Sequence, residues 1–186
     1  MNLQETTVWV EQLFPGEFSY TESKGNRQVP EFHFGICRVG AESVAVTLDA
    51  ANIDTGLEAE SLNVRAEIFV VHRATDTTAL KLLNGAVGML AASQGSLPAQ
   101  PGTLLPALGD VVDLPQDVSV RHGLLVVPFV WSGQTPQVRE SDRWTLMVQL
   151  IMLTPDEFNY AVTYGVEALH QQFLTQGIDL LDWGRP

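Results

Sequence analysis

The apolar run from Trp144 to Leu153 (WTLMVQLIML) leads without a break into Thr154-Pro155-Asp156-Glu157, and no other stretch narrows the possible folds as much. The run reads as a strand, and the four residues after it read as a helix start with three independent signals. Thr154 can cap, Pro155 suits the first helical position, and Glu157 completes a capping box three residues after Thr154. Phe158, Ala161 or Val162, Gly165, Leu169 and Phe173 then predict the buried face of one helix, which Gly177 ends as a left-handed residue. None of these positions carries chemistry. They specify scaffold.

Upstream, residues 1–62 read as β-rich. FSYTES, EFHFGICRV and VAVTLDA are enriched in aromatic and β-branched residues and are separated by the turn-forming KGNRQVP and VGAES. Phe32, Phe34 and Ile36 alternate with His33, Gly35 and Cys37, the pattern of a half-buried strand. Val8 to Phe14 fits a strand or a helix. NVRAEIFVV is a strand whose continuous apolar run, Ile68 to Val71, places it centrally in the sheet. A helix starts near Thr75 or Asp76, carries Leu80, Leu83, Val87 and Leu90 on its core face, and ends by Gly95. Gly85 and Gly88 inside it each cost roughly 1 kcal/mol relative to alanine, so the helix depends on packing or on close approach to another element. After a proline- and glycine-rich loop, VVDLP, GLLVVPFVW and WTLMVQLIML supply three more strands, with SGQTPQVRESD as a hairpin connection. Pro128 lacks an amide hydrogen and puts GLLVVPFVW at an edge or at a bulge. Strands and helices in this arrangement give an α+β class.

With 186 residues, 45% hydrophobic and 17% charged, the chain can bury one sizeable core, and a single domain spanning 1–186 is the expectation. Charge sets limits on partners. The 22 acidic and 10 basic residues give −12, and Lys24 and Lys81 are the only lysines, a field that repels nucleic acid and anionic membranes. It attracts basic proteins or serves solubility alone. The first residues lack the features of a signal peptide, and no apolar run reaches the ~18 residues of a membrane span, so a cytoplasmic location is expected. Cys37 is the single cysteine, which excludes an internal disulfide and a thiolate metal cluster.

No serine-nucleophile elbow, phosphate-binding glycine loop, zinc-protease or calcium-loop motif occurs. His33, His72, His122 and His170 are too dispersed to form a local ligand pair, and no metal, cofactor or catalytic residue is predicted. His33 and Cys37 share a strand face but lie about 13 Å apart, too far for thiol activation, so Cys37 reads as a buried inert thiol. Asp49, Asp54, Glu58 and Glu60 read as a solvated acidic connection or, less economically, as cation ligands. Arg139, Glu140, Asp142 and Arg143 read as a surface salt-bridge cluster worth little.

The order of NVRAEIFVV with its Arg65-x-Glu67 pair, the helix TALKLLNGAVGMLAA, a loop ending in Leu108-Gly109-Asp110, GLLVVPFVW, and WTLMVQLIMLTPDEF followed by YGVEALHQQF and LLDWGRP resembles the suppressor-of-fused (SUFU) family. The likeness is to its small bacterial single-domain members. It is clearest over residues 62–186, about two thirds of the chain. The N-terminal third does not align, and the additional C-terminal domain of animal members is missing from the pattern. The resemblance implies a single mixed, mostly antiparallel sheet packed against helices, and binding of another protein by strand addition. It also implies a more specific role, that of a bacterial immunity protein neutralising a toxin. Asp110 matches an acidic position of the family's peptide-contact region, though it equally suits a turn residue starting a strand. Asp54, Glu58 and Glu60 join it as candidate partner contacts because they form the acidic connection. Two alternatives stay open: a hydrolase or small-ligand enzyme whose residues converge only in three dimensions, and an oligomerising module with a large apolar patch.

Overall fold

The computed structural model describes residues 1–24, 30–132 and 134–186. Among them, β1 (Phe18–Glu22), β2 (His33–Val39), β3 (Glu42–Thr47), β4 (Glu58–Ala59), β5 (Leu62–His72), β6 (Leu104–Leu105), β7 (His122–Val126), β8 (Gln137–Arg139) and β9 (Arg143–Leu153) form one sheet. Its order is β1-β2-β3-β5-β9-β7-β6, with β4 beside β5 and β8 beside β9. Among the described strands only β5 and β9 run parallel, from Asn63 opposite Arg143 to Phe69 opposite Gln149. The sheet is thus mixed and mostly antiparallel. Its two central strands are the two with the longest apolar runs, because a strand flanked on both sides and covered on both faces tolerates few polar residues. The expected KGNRQVP turn includes residues 25–29, which lie outside the described residues, as does Gly133 of the SGQTPQVRESD connection.

Helices cover both faces. Alternation along the strands sends Ile68, Val70, Val148, Leu150 and Met152 to one side, where α2 (Asp76–Ala92) packs Leu82, Leu83, Ala86, Val87 and Leu90 on them. The opposite side carries α1 (Leu3–Leu13) over Cys37, Val44, Val46, Phe69 and Met147. Further along that side, α4 (Pro155–Tyr164) and α5 (Val166–Gln176) cover Leu124, Val126, Ile151 and Leu153. Among the described residues, no helix is long and apolar enough to cross a membrane.

Val8 to Phe14 resolves as helix. Asn2 caps α1 by accepting a hydrogen bond from the Glu5 amide at 3.0 Å, and Glu5 accepts one from the Asn2 amide at 2.8 Å. This reciprocal box precedes Val10, which is fully buried, and Phe14, which follows the helix's last residue. Because α1 lies on the sheet, Gly35 and Cys37 are buried on the face opposite Phe34, whereas the alternation suggests burial on one face only. Cys37 is sealed under α1, and burial pushes its thiol up to about 11.

Three other expectations change. VVDLP is not a strand: Val111 ends the short helix α3 (Leu108–Val111), and Val112 and Asp113 form the turn after it. β7 lies between β9 and β6 and ends at Val126, so Pro128 interrupts neither an edge strand nor a bulge. The chain leaves the sheet there, and the Phe129 amide donates to Gln149 Oε1 at 2.9 Å. Finally, the terminal helix is two helices. Gly165, at φ 92° and ψ 158°, breaks the path, so Ala161, Leu169 and Phe173 are buried while Val162 is 62% exposed. Gly177 does end α5 in the left-handed region, at φ 63°.

α2 begins at its Thr75 cap, as expected, and one of its glycines meets the close approach that its presence implied. A Cβ on Gly85 would lie 2.4 Å from Val112 Cγ1 and 2.9 Å from Leu108 Cδ1, so only glycine lets α3 rest on α2. Gly85→Val is expected to destabilise the protein by about 1–3 kcal/mol through overpacking, despite the better helix propensity. Urea unfolding would check it, and a variant as stable as the parent would refute the contact.

Candidate partner-binding site

The four acidic candidates fall into two places. Asp54, Glu58 and Glu60 surround the β4–β5 hairpin, whose turn residues Glu60 and Ser61 both adopt positive φ, 52° and 63°. Asp54 accepts the Gly56 amide at 2.9 Å and pairs with Arg65 at 3.0 Å. The Gly56 hydrogen bond, then the Arg65 charge, hold its carboxyl below the usual range. Glu60 takes both terminal nitrogens of Arg139, at 2.8 and 3.2 Å, and that contact lowers its pKa. The same guanidinium stacks 3.9 Å above the Trp144 ring. Glu58 is exposed on β4, opposite Asn63.

The expected acidic patch is therefore largely an ion-paired hairpin. Arg139 leaves its sequence neighbours for Glu60, while Arg143 keeps Glu140 at 3.1 Å. Of the cluster expected from Arg139, Glu140, Asp142 and Arg143, the described residues show the Arg143–Glu140 pair.

Asp110 sits apart from the trio, on α3 near the β6 margin, its side chain 65% exposed and 3.7 Å from Arg121 Nε. Gly109 explains the placement. Its amide donates to the Arg121 carbonyl at 2.8 Å, and a Cβ there would lie 3.1 Å from Arg121 Cα. α3 can lean on the segment entering β7 only because that side chain is missing. Among the described residues, no hydrogen bond or ion pair joins Asp110 to Asp54, Glu58 or Glu60.

A better-formed site lies where no candidate was placed. Among the described residues, β1 pairs with β2 alone and ends the sheet, and four of its five residues are exposed. Beside it, Leu3 and Thr7 of α1 face Tyr20, Thr21, Glu22, His33, Phe34 and Leu48 across a groove of about 450 Å³. Tyr20 fixes one wall, its hydroxyl donating to Glu11 of α1. Burial and the Glu11 carboxylate push that phenol up to about 12, which keeps the donor proton in place. The sequence identified FSYTES as strand, but nothing local marks a strand as terminal, because edge position depends on which partners the rest of the chain supplies.

No family model and no curated protein matches the sequence. Solved structures do match the fold. A protein described as a suppressor-of-fused homologue from Neisseria gonorrhoeae superposes with a TM-score of 0.70 at 17% identity, covering 98% of this chain and 94% of its own. The Sufu–Fu complex structure gives 0.58 at 12% identity, with 97% and 87% covered. Drosophila Suppressor of Fused gives 0.50 at 14% identity, and this chain, 95% covered, spans only 42% of that protein. The alignment with the first two takes in the N-terminal third that sequence comparison left unmatched, and the chain has the suppressor-of-fused fold over nearly its whole length.

Proposed function

We propose that this protein is a non-enzymatic protein-binding domain that takes an extended segment of its partner along β1. The observation that carries the reading is the five-residue terminal strand, exposed and flanked by a groove. An unpaired edge offers main-chain hydrogen bonds, and an adjoining hollow gives selectivity for side chains. The opposite end of the sheet, β6, is two residues long and offers a shorter template. Support also comes from the Sufu–Fu complex, in which a protein of this fold is bound to another protein.

The more specific role we propose is that of an immunity protein neutralising a toxin. The −12 charge supports it, since an acidic surface speeds encounter with a basic target and orients it. Immobilised protein incubated with host extract, at low and moderate salt, is expected to retain a specific protein. A Ser19→Lys/Thr21→Lys variant, which places charge on the edge strand, should weaken retention at least tenfold. Equal retention by both proteins would place the interface elsewhere, and no retained protein at either salt would remove the binding reading. Identification of the partner as anything but a toxin would remove the immunity role alone.

A further inference from the structure

We propose that Glu22, Glu31 and His33 form a binding site for a divalent transition-metal ion, with zinc as the fitting probe. One ligand atom from each lies within 4.8 Å of the other two, a spread that small rotations of two exposed glutamates would close around an ion. The backbone brings them together by two simple rules. Glu22 and His33 are directly opposite in the β1–β2 ladder, so their side chains project from the same face. Glu31 precedes His33 by two residues, the spacing that repeats a face along an extended chain.

The histidine is prepared for a metal in a way that a loose surface cluster is not. Its Nδ1 lies 2.7 Å from Asp49 Oδ2, and its backbone amide donates to Asp49 Oδ1 at 3.0 Å. A carboxylate only accepts, so Nδ1 is the nitrogen engaged as donor and Nε2 is the one left to face an ion. Nε2 is the atom that faces Glu22, at 3.9 Å, beyond hydrogen-bond length and on the side where an ion would sit. Metal-bound histidines characteristically have such a carboxylate behind them, fixing both the tautomer and the ring plane. Asp49 is itself anchored, its side chain only 13% exposed at the start of the 3-10 turn Ala50–Asn52.

The donor set defines the ligand class. One imidazole nitrogen with two carboxylates suits zinc and its transition-metal neighbours, whereas calcium and magnesium prefer all-oxygen shells. Two glutamates this close also repel one another, and a dication reverses that repulsion. Glu22 and His33 line the groove beside β1, so an ion held by three protein ligands would have a coordination position left for solvent or another ligand. The site shares β1 and its groove with the surface proposed for the protein partner, but zinc binding is measured without a partner, so either reading can fail alone.

Protein stripped with a chelator and titrated with zinc chloride in a calorimeter is expected to bind one ion per chain. His33→Ala and Glu31→Gln should each weaken binding at least tenfold, and Asp49→Asn by roughly 10–100-fold through loss of orientation. Magnesium should bind far more weakly than zinc. Circular dichroism of the metal-free variants reports folding, and Glu22→Gln, at an exposed edge position, gives the same test should a β2 variant fail to fold. In nitrogen-15 spectra the His33 Nε2 resonance should shift on zinc addition. Absence of zinc binding by the parent, or binding undiminished in His33→Ala, Glu31→Gln and Glu22→Gln, would overturn the site.

Discussion

Arg185→Ala is expected to destabilise this protein by about 3 kcal/mol or more, because it removes a buried guanidinium and leaves the Glu157 carboxylate, only 14% exposed, without its charge partner. Arg185 is 5% exposed and holds Glu157 by two bonds, Nε to Oε1 at 2.9 Å and Nη2 to Oε2 at 2.7 Å. Its Nη2 also donates to the Met152 carbonyl at 2.6 Å and its Nη1 to the Asp182 carbonyl at 2.9 Å. One side chain thus ties the end of β9, the first turn of α4 and the segment after α5. Glu157 is engaged twice, since its carboxylate also accepts the Thr154 amide at 2.8 Å as the return half of the capping box. For a chain of this length, the loss corresponds to a fall in melting temperature of roughly 6 °C or more. Glu157→Ala should cost a similar amount, and the double variant much less than the sum, because the second substitution removes the charge that the first left unpaired. Additive losses, or an Arg185→Ala effect under about 1 kcal/mol, would show that the pair is solvated rather than buried.

That network marks a boundary in what the residues disclose by themselves. Thr154, Pro155 and Glu157 announce a helix start because capping is local, and the structure has that cap. LLDWGRP, by contrast, carries no local pattern that would send Arg185 back to Glu157 across 28 positions. The same division runs through the sheet. Ile68 to Val71 gives β5 its central place, since an apolar run needs cover on both sides. FSYTES is recognisable as strand but not as edge. Pattern failed where a polar or small residue serves a distant neighbour: Gly165 reads as a buried helical position and instead breaks the helix, and VVDLP reads as strand until α3 packs on Gly85. For the candidate contacts, acidity was legible but pairing was not. Arg65 and Arg139 reach Asp54 and Glu60 from β5 and β8, and no spacing rule connects residues 60 and 139.

Glu67 should make stability fall as pH rises, the reverse of what ion-paired carboxylates do. It is fully buried in β5, and each of its oxygens is engaged: Oε2 by the Thr47 hydroxyl and the Ala50 amide at 3.2 Å, Oε1 by the Ala51 amide at 3.1 Å. Those donors favour the carboxylate, but burial outweighs them and pushes the group from 4.5 up to about 7. Below about pH 4.5 folded and unfolded chains both hold the proton, and the group's contribution is constant. Between there and about pH 7 the folded chain keeps a proton that the unfolded chain has lost, so stability declines. Above that window the full difference applies, on the order of 3 kcal/mol. Other acidic groups titrate over part of the same range, which makes the comparison with Glu67→Gln decisive: they are common to both proteins and cancel in the difference. Urea unfolding at pH 5 and pH 8 should show the stability of Glu67→Gln rising relative to the parent by up to about 3 kcal/mol at the higher pH. A difference independent of pH would mean that the three donors win and that the sheet carries a buried, ionised carboxylate at its centre.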